Sequence, residues 1–236
     1  MVTKPLPEFD RAFLTVLVRG AEKTFDNAEN LYHEAKILAA ARATSRALFL
    51  HQISLEECSK IDNMGAWAVS LLTGHEVDQK KVLTAFARHS SKNRSNAYMI
   101  GASHAEKDAR ARGDWKASLE EFRKFQTEFH EKSNSAKNGS LYVDWKDTEF
   151  VAPRERITIE MLAEIASRNE TFLGYAHNSL KMLKRLDKAP GEMQGMVVEF
   201  VELAEKMRDE KPEDATAAIN ELVGKFLGID VGKRGM

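Results

Sequence analysis

The sequence predicts an all-α protein: a helical bundle with additional C-terminal helices and one long packed loop. Three observations carry that expectation. Prolines stand at 5, 7, 153, 190 and 212, so Glu8 to Ala152 lacks the residue that costs roughly 3 kcal/mol inside a helix. No alternating apolar and polar run bounded by turn residues competes, apart from the short Leu141-Tyr142-Val143. Apolar residues also return at three- and four-residue steps, most clearly at Ala215, Ala218, Ile219, Leu222, Val223, Phe226 and Leu227.

The elements follow in order. A first helix is expected from about Gly20 to Ala40, and a second from about Arg42 to Leu72, ended by Thr73-Gly74. A third covers about Val77 to Arg112, with a break near His89 to Asn96 where Ser and Asn accumulate. Gly113-Asp114 reads as a helix stop followed by an N-cap, opening a fourth helix to about Ser135. Residues Asn138 to Arg156 form the long irregular segment, and its aromatic content argues for a loop packed on the body. Thr158 begins a helix to about Leu186, followed by shorter ones near Glu192 to Arg208 and Glu213 to Leu227. Pro212 opens the last, with Glu213 and Asp214 in its first turn. The domain expectation is a bundle with its loop over 1–157 and C-terminal helices packing on it over 158–236.

With 43% hydrophobic and 30% charged residues, the chain of 236 can build and cover a core. Its net charge of -1 leaves any nucleic-acid affinity to local asymmetry. A single cysteine, Cys58, excludes an internal disulfide and a cysteine metal cluster, which fits a cytoplasmic location. Residues Met1 to Phe9 carry no signal-peptide core, and no stretch approaches the length of a membrane span.

Three blocks share a pattern. The first is Asn27-Ala28-Glu29-Asn30-Leu31-Tyr32-His33-Glu34-Ala35, followed by Ser54-Leu55-Glu56-Glu57-Cys58-Ser59-Lys60. The second is Phe86-x-x-His89-x-x-Lys92, and the third is Gly139-Ser140-Leu141-Tyr142-Val143-Asp144 with Pro153, Ile157 and Thr158 downstream. In this order they resemble the AbiV family of abortive-infection proteins, an all-helical group distantly similar to the HEPN domains. The resemblance covers roughly residues 27 to 165 and marks Asn30, Glu56, Lys60, Lys92, Tyr142 and Asp144 as family-motif positions. Cys58-Ser59 departs from the small residue and glycine expected before the lysine. The resemblance implies a HEPN-like bundle and a role in phage defence. It also implies a homodimer, by analogy with helical domains of that superfamily.

Helical phase assigns the charged residues. Glu57 shares a stripe with Leu50, Ile53, Ile61 and Met64 and is expected to point inward, whereas Glu56 is expected to pair with Lys60 on the surface. Glu34, Glu57 and His89 then form an interior polar cluster, either a functional site or a network that fixes helix register. No histidine follows a glutamate by three residues, so a di-iron carboxylate site is excluded; a single ion held by two carboxylates and a histidine is the minor alternative to the expectation of no metal or cofactor.

HEPN ribonucleases resemble one another in an Arg-x(4–6)-His motif, the histidine acting as base and the arginine stabilising charge on the reacting phosphate. Two stretches match it, Arg46 to His51 and Arg123 to His130. Arg46 and His51 are roughly 140° apart on one helix, so Arg123 and His130, seven residues apart on one face, are the candidate catalytic pair. From Gln79 to Ala105 no acidic residue occurs, and Lys80, Lys81, Arg88, Lys92 and Arg94 form a candidate nucleic-acid contact. No phosphate-binding glycine loop, nucleophile elbow or His-Glu-x-x-His is present.

Two functions stand against each other. One is an interaction module that binds a phage or host protein and arrests growth; the other is a metal-independent ribonuclease acting on RNA. A helical scaffold without a defence role is the third reading, and no membrane association is expected in any of them.

Overall fold

The computed structural model describes residues 8–87 and 103–207. Eight helices and one hairpin are found there: α1 (Glu8–Ala40), α2 (Thr44–Thr73), α3 (Gln79–Ala87), α4 (His104–Ala111), α5 (Trp115–Gly139), β1 (Asp144–Lys146), β2 (Glu149–Val151), α6 (Pro153–Arg156), α7 (Ile159–Lys188) and α8 (Pro190–Met207). The all-α class is therefore correct. The helix expected near Glu213 to Leu227 lies outside the described residues.

The helix ends obey local chemistry. Asp114 caps α5 by accepting from the Ala117 N–H, as its place after Gly113 predicts. Thr158 does the same for α7 through the Met161 N–H. α1 starts twelve residues before the expected Gly20, because Leu14, Leu17 and Val18 continue the apolar stripe formed by Ala21, Phe25, Ala28 and Ala35. It stops in a Schellman motif: the Ala43 N–H donates to the Leu38 carbonyl at 2.8 Å and the Arg42 N–H to Ala39 at 3.0 Å. Arg42 thereby holds a φ of 59°, a conformation that costs a residue with a Cβ about 1–2 kcal/mol and that glycine takes freely.

The contacts divide the chain into two units. One comprises the described parts of Met1–Arg19, Met64–Val77 and Leu180–Met236. Its core holds Leu14, Leu17, Trp67, Leu72, Leu183, Leu186, Met193 and Val197, with Phe13 edge-on to Trp67 at 4.7 Å. The Gln194 side chain donates to the Leu72 carbonyl at 2.9 Å, and Thr15 donates to Asp187 at 2.7 Å. The other unit comprises Gly20–Asn63 and Asp78–Ser179, and its core includes Phe25, Leu48, Leu55, Ile61, Phe129, Ile165, Phe172 and Ala176. Each unit takes helices from both sides of residue 157. No helix among the described residues is long and apolar enough to cross a membrane.

The segment after α5 is partly ordered into strands. β1 and β2 pair antiparallel with Lys146 opposite Glu149, leaving Asp147-Thr148 as a two-residue turn. Asp147 takes the left-handed φ of 54° that such a turn asks of its first central residue. α6 begins with Pro153, and the Glu155 carboxylate reaches back to accept from the Ala152 N–H at 2.6 Å.

Candidate functional site

The second unit carries a polar seam through its core. From Ser54 to Ile61 only Glu57 and Lys60 escape full burial, so α2 is covered on more than one side there. That corrects the assignment of Glu56, expected on the surface. Glu56 is the buried one, 1% exposed, and its carboxylate receives Lys137 Nζ from α5 at 2.8 Å. Glu57 sits at the margin and pairs with Lys60 one turn away, so the expected Glu56–Lys60 surface pair does not form. The phase argument failed because it assumed one apolar face, whereas this stretch buries nearly every residue whatever its polarity.

A second part of the seam joins α2 to α7. Asn169, fully buried, directs its amide nitrogen to His51 Nδ1 at 3.1 Å, and its amide oxygen lies 3.1 Å from Ser54 Oγ. Ser54 also donates to the Ala28 carbonyl of α1 at 2.7 Å, so three helices meet on these few atoms. Burial pushes the His51 pKa down to about 4, with the positive charge of Lys36 adding to it. A neutral ring with an unprotonated Nδ1 is the form that accepts from the amide. Tyr32 lies edge-on to His51 at 5.4 Å.

Further along α2, Ser179 donates to Asp62 at 3.2 Å, and burial pushes that carboxyl up to about 6. Burial also raises the Cys58 thiol, with Asp62 adding to the effect, so the free cysteine is protonated and inert at neutral pH.

Among the described residues, the other expected ones stand apart from this seam. Glu34 and Asn30 are exposed on α1, so Glu34 cannot join an interior cluster with Glu57. Helical phase again misled: the buried stripe of α1 passes through Ala28 and Ala35, about 100° from Glu34. His89, Arg88, Lys92 and Arg94 lie outside the described residues. Lys80 and Lys81 are exposed on α3, with Lys81 3.5 Å from Asp78. On α5, Arg123 is exposed and His130 is half-buried two turns further on. Sequence reasoning missed Asn169 and Lys137. Asn169 had a readable signal, being the polar position in the stripe Ile165, Phe172 and Ala176.

The loop expected to pack on the body instead displays its apolar side chains. Tyr142 is 61% exposed, Trp145 61% and Phe150 71%, with Leu141 and Val143 also exposed. Trp145 and Phe150 face each other across the hairpin, ring centroids 5.0 Å apart. Because the segment forms its own two-stranded ladder, its backbone is satisfied without the body, and these side chains are left in solvent. Its base is anchored: Arg156 pairs with Asp144 at 2.5 Å, and the guanidinium lies over Gly139, where an added Cβ would meet it at 2.7 Å. Asp144 therefore has a structural reason to stand in that motif.

The helical bundle is of the HEPN-like class. Within that class the chain matches the AbiV family over residues 16–174, and it belongs to that family. It is also 56% identical over 116 residues to "Uncharacterized protein y4gJ" of Sinorhizobium fredii. That alignment covers 49% of this chain and 60% of the relative. No solved structure matches the chain.

Proposed function

We infer that the protein serves abortive infection by binding a phage or host protein through its aromatic hairpin, arresting growth without chemistry of its own. The observation that carries this reading is the exposed run Leu141, Tyr142, Val143, Trp145 and Phe150 on a base held by Arg156 and Asp144. Exposed aromatics on a rigid support are typical centres of protein interfaces, where truncation of one such residue costs about 2 kcal/mol or more of binding. The reading includes a homodimer, by analogy with the superfamily. The test is phage plating on cells expressing the protein. Trp145→Ala with Phe150→Ala is expected to abolish protection while changing folding stability by only about 0.5 kcal/mol, as exposed positions do. Protection that survives the double substitution would remove the hairpin from the function.

One observation favours a second reading. Arg123 and His130 lie on one face of α5, the spacing a HEPN-type ribonuclease uses. RNA incubated with purified protein in EDTA discriminates between the two. The binding reading expects no cleavage above background; cleavage that disappears in His130→Ala would establish the ribonuclease instead.

A further inference from the structure

A narrow cleft of about 50 Å³ opens between α2, α5 and α7, within the second unit. Its walls are mostly apolar, from Leu48, Phe129, Ala136, Met161 and Ile165, and one buried polar group interrupts them. Gln52 is 2% exposed and lines the cleft, yet its amide nitrogen has no hydrogen-bond partner among the described residues. Buried polar groups are normally paired, and a donor left without an acceptor in the interior is destabilising. The neighbouring side chains do not supply one. Glu56, one turn further along α2, is taken by Lys137, and the apolar side chains of the wall carry no oxygen. At the solvent edge Lys132 and Arg168 converge on a single carboxylate, Glu164, at 3.5 and 3.0 Å. Two cations against one anion leave the lining with an excess of positive charge.

We propose that this cleft binds a short-chain aliphatic carboxylate. A carboxylate oxygen supplies the acceptor that the Gln52 amide lacks, and a hydrogen bond to an ionised acceptor is a strong one. The alkyl body lies against Leu48, Met161 and Ile165, and the excess positive charge of the edge favours an anion over a neutral molecule of the same shape. Size sets the chain length. One water needs roughly 10–15 Å³ of such space, so the cleft holds about four atoms of that size, enough for a small branched acid and too few for a sugar or a base. An acid seated there touches three helices of one unit and stabilises the folded form by mass action. A glutamate side chain of another protein ends in the same chemistry, and the test separates it from the free acid.

Nuclear magnetic resonance of the full chain, following the Gln52 side-chain amide during titration with isobutyrate at constant ionic strength, tests this. A saturable shift of that amide at millimolar concentrations is expected, and isobutyramide, the neutral isostere, should bind about fivefold more weakly or worse. Gln52→Met should abolish isobutyrate binding, read from the methyl resonances of the ligand. It is expected to melt no lower than the wild type, since it removes a polar group without a partner and keeps the side-chain length. Ala136→Leu, which fills the cleft and leaves Gln52 in place, should abolish binding as well. No saturable shift would overturn the proposal and leave the cleft to ordered water. Isobutyramide binding as tightly as isobutyrate, or affinity indifferent to both substitutions, would overturn it too. So would a shift produced by a glutamate-containing peptide and not by isobutyrate.

Discussion

Lys137→Met is expected to destabilise the protein by about 3–5 kcal/mol, because it removes the ammonium that faces the buried carboxylate of Glu56 at 2.8 Å. For a chain of this length that corresponds to a fall in melting temperature of roughly 6–20 °C. The side chains are 7% and 1% exposed, so water cannot take the place of the missing ammonium. Replacing both partners is expected to behave differently. Glu56→Met combined with Lys137→Met removes both desolvated charges, and such exchanges are often neutral or stabilising. The double variant should therefore recover most of the loss, and the cycle of single and double variants measures the coupling. Urea denaturation of the four proteins supplies the numbers. A cost below about 1 kcal/mol for Lys137→Met would mean that the pair behaves as a surface ion pair.

The fold was legible because its rules are local. The proline-free span, the Gly113-Asp114 stop and cap, and Thr158 before α7 each mark an element through chemistry that neighbouring residues decide. The seam was not legible in the same way. Glu56 and Glu57 are adjacent, and only the coverage of α2 from several directions decides which is buried. Lys137 could not be matched to Glu56 from 81 positions away, since a lysine in a helix is read by default as solvated. The hairpin was misread for a related reason. An aromatic loop normally hides its apolar groups, and this one is free to expose them because its strands satisfy each other.

The seam also sets a pH response, and Asp62→Asn is expected to reveal it by making the protein markedly more sensitive to acid. His51 stays neutral in the fold with a pKa of about 4, against 6.5 for a free imidazole. Between those values the unfolded chain takes up a proton that the folded chain refuses, so stability falls as pH drops from about 6.5 to about 4. At about 1.4 kcal/mol per pH unit crossed, the loss is on the order of 3 kcal/mol. Asp62 acts in the opposite sense. Its carboxyl titrates at about 6 in the fold and at 3.8 when free, so the folded chain takes the proton first and gains stability over nearly the same interval. In the wild type the two responses largely offset each other. Asp62→Asn removes the gain and leaves the loss, while Ser179 keeps a hydrogen-bond acceptor. Urea denaturation at pH 7, 5.5 and 4.5 should show the difference between variant and wild type turning against the variant as pH falls. Other carboxylates titrate equally in both proteins and cancel in that difference. Parallel curves across the range would show that Asp62 is not held protonated by burial, and the opposition between these two groups on α2 would not exist.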